Sequence, residues 1–465
     1  MRYGMITACV LILMLYGFQE AVAGTPVTRD SCREEALLNS EDLMIEQARS
    51  RQARLRTQEH RTHYLPKVSG HGHYVTSRNR FEWDVDKALF DPLGGIVDPA
   101  TINPLTGRPI SDVSGHHIAK QSAYLAGIRA EQPLYMGGRI RAANRMSDIA
   151  EQVSLKDIEA QRQTVVAEAD HTYWRAVAVK EQLVAARTYL ELLKALEDRV
   201  SHAVDTGLVH RNELLKVQVR RNEAMLTLER AKNGQELLRM LLCRIMGYDL
   251  DRSLEIVDSK IIIPPPNEIH DAPALSVTDR PDYRMLEDNI DIQREKERLV
   301  RADFLPQVGL SAGYSYIGGV KIYQTSLSSQ GYYLMASAEV PLWQWREGRY
   351  RKESAKLDSH IAELDLRKYE KLMELEIQQA FFAMSEAHSR CGMTEAALEQ
   401  AEASMAMSED FYELGLEELT DYLEAQARWR QAQAEHIGAK AEFKIQETNY
   451  LKAVGVLGKG PRESE

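Results

Sequence analysis

Cysteine is scarce: the 465-residue chain has four, and Cys32, Cys243 and Cys391 lie far apart with no CxxC pair among them. That spacing excludes a disulfide framework and a structural zinc site of the usual kind. An excess of positive charge is missing as well. The formal charge of −11 disfavours a nucleic-acid binder, whose affinity comes from clustered Lys and Arg. No GxSxG, P-loop, HExxH or dinucleotide-binding fingerprint occurs, so nothing points to an enzyme, a catalytic residue, a metal or a cofactor. Long hydrophobic runs are absent too. The apolar run from Ala8 to Leu15 is far shorter than the roughly 20 residues that span a bilayer as a helix. It follows Arg2 and precedes Ala21-Val22-Ala23, a small-x-small site before Gly24, so residues 1–23 read as a cleaved export signal. A lipid anchor is not expected, because Gly24 stands where processing would need a cysteine. Mean hydropathy is −0.40, which alone would describe a soluble chain. Membrane β-strands escape such a measure, because they alternate lipid-facing and lumen-facing residues.

Proline is missing where it matters most. None stands between Pro133 and Pro264, nor between Pro341 and Pro461, and both gaps are rich in good helix formers. In the first gap Leu183, Ala186, Leu190 and Leu193 recur at spacings of 3, 4 and 3. Leu228, Ala231, Gln235, Leu238, Leu242 and Ile245 continue the rhythm on a later stretch. These are two coiled-coil seams, separated by Asp205-Thr206-Gly207-Leu208. Glycine there lets a helix end in the left-handed conformation and the chain reverse. The gap predicts a helical hairpin whose first arm runs from about Arg139 to Thr206. At 1.5 Å per residue that arm is on the order of 100 Å long, more than a globular domain needs.

The second gap repeats the first. Pro133 and Pro341, Gly207 and Gly415, Gln218 and Gln426, and Gly247 and Gly455 are each 208 apart by subtraction. Tyr64-Leu65-Pro66 and Phe304-Leu305-Pro306 also correspond, but 240 apart. The chain is therefore an internal duplication whose first copy carries about 32 extra residues. Asp91-Pro92, Gly94-Gly95, Asp98-Pro99 and Asn103-Pro104 place them in an exposed loop between Trp83 and Gly115. Short alternating stretches flank that loop, from Val68 to Tyr74 and from Tyr124 to Ala130, and the second copy supplies Val308 to Tyr316 and Leu334 to Val340. About four strands are expected. Four strands cannot close a barrel, and open edges are not tolerated in lipid, so further copies of the chain must complete it.

Taken together, these features resemble the TolC-like outer-membrane efflux family over essentially the whole mature chain. The resemblance is carried by the duplicated Leu-Pro before the first strand of each copy, Gln132-Pro133-Leu134-Tyr135-Met136-Gly137-Gly138-Arg139, the two Gly-Leu tips, and Leu423-Glu424-Ala425-Gln426. It implies a mainly α fold with a membrane β-barrel contribution. Two long α-helical coiled-coil hairpins and about four strands per protomer would complete a trimeric twelve-stranded barrel. The expected organisation is a signal peptide at 1–23, a first repeat at 24–250, a linker at 251–280, a second repeat at 281–458 and a tail at 459–465. The implied function is passive efflux of small molecules (drugs, toxic compounds or metal ions) through a homotrimer held in outer-membrane lipid. Its helical tunnel would extend into the periplasm and work with a periplasmic adaptor and an inner-membrane pump.

The resemblance also assigns residues. A periplasmic gate would use Tyr412 before the second tip glycine and Asp421 and Glu424 after it. Where the family has a basic residue two positions past the glycine, this chain has Glu417. Independently, Glu413, Glu417, Glu418, Asp421 and Glu424 gather negative charge at one tip, and a ring of such charge favours cations. Glu413 and Glu418 read as solvated helix-end charge. Gly207-Leu208 and Gly415-Leu416 match adaptor-docking tips, although a helix C-cap with its hydrophobic contact would look similar. His71 and His73 share one side of a strand without the further ligands of a metal site and are expected to line the lumen or the barrel mouth. Trp83, Trp343 and Trp345 fit either an interfacial aromatic girdle or packing between barrel and tube. Two other functions fit the helices: a component of one-step protein secretion, or a periplasmic coiled-coil adaptor or structural protein. Adaptors typically carry a single hairpin, and the duplication argues against them.

Overall fold

The computed structural model describes residues 25–83, 115–265, 277–322 and 325–458. The export signal, the long loop at 84–114 and the C-terminal tail lie outside them. In chain order the elements are β1 (Thr25–Val27), α1 (Arg29–Asn39), α2 (Glu41–Thr62), β2 (Lys67–Trp83), β3 (Gly115–Met136), α3 (Arg139–Asp205) and α4 (Arg211–Ile245). After these come β4 (Leu254–Ile256), α5 (Pro281–Ala302), β5 (Gln307–Ile322), β6 (Thr325–Glu339), α6 (Glu347–Glu413) and α7 (Leu419–Val454).

The duplication holds at the level of element boundaries. Helices α3 and α6 are each 67 residues long, and adding 208 to the ends of the first gives the ends of the second. Helices α2 and α5 are each 22 residues long and are related by 240. The change of offset falls between β2 and β3, where the sequence places its insertion. The segment read as a linker contains β4, which pairs in parallel with β1 at the start of the first repeat. Strands this short carry no usable periodicity.

The chain divides into two units, Met1–Leu55, Asp148–Arg294 and Leu357–Glu465 on the one hand, and Arg56–Ser147 and Glu295–Lys356 on the other. The first is helical. The first seam is buried as the 3,4 spacing requires, with Leu183, Ala186, Leu190 and Leu193 all buried. In the second, Leu242 and Ile245 are buried, whereas Leu228, Ala231, Gln235 and Leu238 are only half-buried. A cluster around Cys32, Ala36, Ala169, Tyr173 and Leu242 packs α1 against α3 and α4, and Ile437 and Ala441 bring in α7. A second cluster, with Tyr283, Ile377, Cys391 and Phe443, joins α5, α6 and α7. One buried polar clip crosses the first cluster. Arg33 donates to both carboxylate oxygens of Asp170, with Nε at 2.6 Å from Oδ1, and Thr448 Oγ1 donates to the same carboxylate at 3.2 Å. Asp170 is 1% exposed, and burial beside that carboxylate pushes the Cys32 thiol up to about 12.

The end of α4 shows what its glycine is for. Gly247 has φ +70°, and a Cβ there would collide with the Asn39 side chain, whose Nδ2 caps the Met246 carbonyl at 2.7 Å. Gly207 has φ +74° with nothing within 4 Å. Both glycine-to-alanine changes cost about 1 kcal/mol for the left-handed backbone. Gly247→Ala is expected to cost about 2 kcal/mol more for the overpacked contact. Thermal unfolding of the two variants should rank Gly247→Ala well below Gly207→Ala, and equal midpoints would refute the steric account.

The second unit holds a four-stranded antiparallel sheet in the order β2-β3-β5-β6. Strands of the two repeats therefore meet at its centre, β3 against β5, and among the described residues both outer edges are open. Directly paired residues share a face. One face carries Val68 and Tyr74, Ile128 and Ala130, Ala312 and Tyr314, and Tyr332 and Leu334 in successive paired rows. The opposite face is more polar, with Ser69, His71, His73, Arg129, Ser311 and Ser337, although Val75, Leu125, Ile317, Tyr333 and Met335 share it. Val68 is 70%, Leu334 72% and Tyr332 90% exposed. So broad an exposed apolar face belongs to a sheet made to contact something other than water. Among the described residues no helix is long and apolar enough to cross a membrane.

Candidate functional site at the hairpin tips

The two helical hairpins reverse by the same turn. Gly207 N–H donates to Val204 O at 3.0 Å and Leu208 N–H to Ala203 O at 2.8 Å. Gly415 N–H donates to Tyr412 O at 3.0 Å and Leu416 N–H to Phe411 O at 2.9 Å. This is the paired C-terminal cap in which a left-handed glycine closes the last turn, with φ +74° at Gly207 and +71° at Gly415. Such a cap normally packs its following hydrophobic residue back onto the helix. Here Leu208 is 79% and Leu416 73% exposed. The leucines thus do little for the cap, and what they offer is an apolar contact facing outward.

Beneath the tips a core of Leu193, Leu196, Val200, Val217, Leu419, Tyr422 and Leu423 draws all four helices together, with Tyr412 and Trp429 packed against it. Tyr412 stacks on Tyr422, ring centroids 5.3 Å apart and planes 14° from parallel. Burial pushes the Tyr422 phenol up to about 12 and raises that of Tyr412. Gln426, repeat mate of Gln218, is fully buried with neither amide atom in hydrogen-bond geometry, beside the unpartnered Tyr422 hydroxyl. Two polar ties join the hairpins across this core. Arg199 on α3 donates to Glu413 on α6 at 2.8 Å and lies 3.9 Å from Glu409. Lys216 on α4 donates to Thr420 on α7 at 2.9 Å and to Glu213 at 3.0 Å.

The residues picked from sequence are thus split. Asp421 and Glu424 lie exposed in the first turns of α7, and Glu417 is half-buried in the turn before it. Glu424 accepts from Arg428 one helical turn on, at 2.5 Å, which offsets part of its charge. Tyr412 does not stand free beside them, because its ring is taken up by Tyr422. Glu413, read as solvated charge, is ion-paired across the hairpins. Sequence reasoning missed Arg199 and Lys216. The one available signal was position, since Arg199 directly flanks the buried Leu196 and Val200 of its seam. Elsewhere, the His71 and His73 rings lie 6.2 Å apart on the polar face of the sheet. Among the described residues no group of three or more His, Cys, Asp or Glu could hold a metal.

Comparison with known proteins agrees with this architecture. The sequence matches the family described as outer membrane efflux protein over residues 32–247 and 274–456. No curated protein sequence matches significantly. Among solved structures, the CmeC outer membrane channel of Campylobacter jejuni superposes with a TM-score of 0.72 at 18% identity, covering 95% of this chain and 90% of that one. The outer membrane protein VceC of Vibrio cholerae gives 0.70 at 14% identity, covering 92% and 96%. The MtrE outer membrane channel of Neisseria gonorrhoeae, in its open state, gives 0.66 at 15% identity, covering 92% and 88%. The match over most of both repeats, together with the duplicated hairpins and the open apolar-faced sheet, establishes that this chain belongs to the outer membrane efflux protein family.

Proposed function

We propose that three copies of this chain form one exit duct, each giving four strands to a shared twelve-stranded barrel. The observation that carries this is the sheet, which is antiparallel, apolar on one face, more polar on the other, and, among the described residues, open at both β2 and β6. Unpaired edges are not tolerated in hydrocarbon. Strand β2 begins, and β6 ends, where the strands meet the helices, so β6 of one copy can close on β2 of the next while keeping the antiparallel alternation. The apolar face then meets lipid, and Ser69, His71, His73 and Arg129 face a water-filled lumen. The repeats at 24–250 and 281–458, with the linker at 251–280, supply the tunnel's hairpins.

The duct carries small molecules outward unchanged, with the work done by an inner-membrane pump that reaches it through a periplasmic adaptor. The exposed Leu208 and Leu416 beside Gly207 and Gly415 are the adaptor's contacts. Tyr412, Glu417, Asp421 and Glu424 lie at the constriction, where copies around the axis make an acidic ring that favours cations. A periplasmic adaptor or structural protein would have no use for an exposed apolar sheet.

Single-channel recording tests the duct and the ring together. Wild-type protein in a planar bilayer should conduct with a preference for K⁺ over Cl⁻, and Asp421→Asn with Glu424→Gln should lower that preference about twofold or more. Folded oligomer that inserts yet passes no current would defeat the reading.

A further inference from the structure

At the end of the sheet nearest the helices the two repeats differ. In the first, the chain passes from β3 into α3 through Gly137 and Gly138, with φ +62° and +90°. Adding 208 puts Trp345 and Arg346 at the same two steps, with φ +46° and +67°. Left-handed backbone is costly for residues with a Cβ, so the second repeat holds a bulky aromatic where glycine would be easier. The result is an exposed indole pair. Trp343 is 75% and Trp345 84% exposed, with ring centroids 5.7 Å apart, edge to face. Leu342 beside them is 89% exposed, and all three follow shortly after Ala336 and Ala338 of the sheet's apolar face.

Four residues on from Trp345, α6 begins to line an open groove with Arg349, Lys352 and Lys356, together with Arg301 on α5 and with Glu297 and Glu353. The α6 cations are spaced 3 and 4 apart and so share a face. Four cations against two carboxylates leave an excess of two. Among the described residues none of the four is in an ion pair, although Lys352 lies over the Phe304 ring at 5.4 Å. The neighbouring pairs are Arg139 and Arg351 with Asp303, Arg351 with Glu347, and Arg145 and Arg298 with Glu295. Subtracting 208 from 349, 352 and 356 gives Arg141, Asn144 and Asp148. The three-cation face of α6 is thus not repeated on α3, although Arg61 and Arg145 stand at the positions of Arg301 and Glu353 and give the first repeat the same net excess of two.

We propose that this groove binds the phosphate headgroup of an anionic phospholipid in the bilayer leaflet nearest the helices, with Trp343 and Trp345 seated at the headgroup level above it. Indoles favour that level because one end of the ring is apolar and the other polar. Lys and Arg beside a bilayer are drawn to anionic lipid, and a guanidinium matches phosphate with two parallel hydrogen bonds. The inference rests on the chain's place in the outer membrane.

The mature protein is reconstituted into phosphatidylcholine vesicles containing a minor fraction of acyl-brominated phosphatidylglycerol or acyl-brominated phosphatidylcholine, and tryptophan fluorescence is read. Trp343→Phe with Trp345→Phe identifies the signal of this pair. Brominated phosphatidylglycerol should quench the pair about threefold more than brominated phosphatidylcholine. Arg349→Ala, Lys352→Ala and Lys356→Ala combined should remove that preference while conductance persists. Equal quenching by the two lipids in the wild type overturns the headgroup site. Absence of quenching by either shows the indoles covered by another copy, and competition by inorganic phosphate shows a free-anion site; both also overturn it. Protein that fails to float with the vesicles contradicts the channel reading and takes this inference with it.

Discussion

A channel carrying Arg199→Ala and Lys216→Ala together is expected to leak. These side chains make the polar ties between the two hairpins near their tips, Arg199 to Glu413 at 2.8 Å and Lys216 to Thr420 at 2.9 Å. Arg199 and Glu413 are each about half exposed, so a tie is worth only about 0.5 kcal/mol. A trimer would multiply it: about six ties sum to on the order of 3 kcal/mol, which shifts an open-to-closed ratio on the order of a hundredfold. The core below the tips, with Leu193, Leu196 and Leu419 buried, holds all four helices together, so the separation is confined to the ends beyond it. Planar-bilayer recordings should show long high-conductance openings in the double variant and partial opening in Glu413→Gln alone. Conductance equal to wild type in both would show that the gate is held elsewhere.

The largest loss of stability is expected from Asp170→Ala. Asp170 is 1% exposed and holds α1, α3 and α7 together through Arg33 and Thr448. Removing it leaves the Arg33 guanidinium, 24% exposed, with only Asp30 at 3.8 Å, and strips Thr448 of this acceptor. Breaking a buried pair from one side costs about 3 kcal/mol or more. Glu168→Ala is the control, since the Glu168–Arg244 pair is 46% and 60% exposed and should cost about 0.5 kcal/mol. Thermal unfolding followed by helical circular dichroism should separate the two clearly. An Asp170→Ala protein as stable as Glu168→Ala would mean that the clip does not hold the N-terminal helix.

Much of the fold was legible because its signals are periodic and local. The proline gaps give the long helices, the spacing of Leu183 through Leu193 gives the buried stripe, and the two offsets of 208 and 240 place both copies and the insertion between them. The pairing of β3 with β5 was not legible, because which strands meet depends on long-range closure and not on any one strand's pattern. At the tips, sequence located the glycines and the acidic cluster, whereas the cross-hairpin ties depend on which flank of one seam faces another. The left-handed Trp345 and Arg346 were hidden for a different reason: glycine announces that conformation, and this repeat has none at those positions.

Joining the open edges of the sheet tests the trimeric barrel most directly. Ser337→Cys on β6, combined in turn with Ser69→Cys, His71→Cys and His73→Cys on β2, puts both thiols on the polar face. Native Cys32, Cys243 and Cys391 are buried and give little background. Oxidation of the membrane-inserted protein should link one of these pairs between copies and produce covalent dimer and trimer, with nothing larger. Accessible thiols that never cross-link, or a ladder that continues past the trimer, would contradict the closed three-copy barrel.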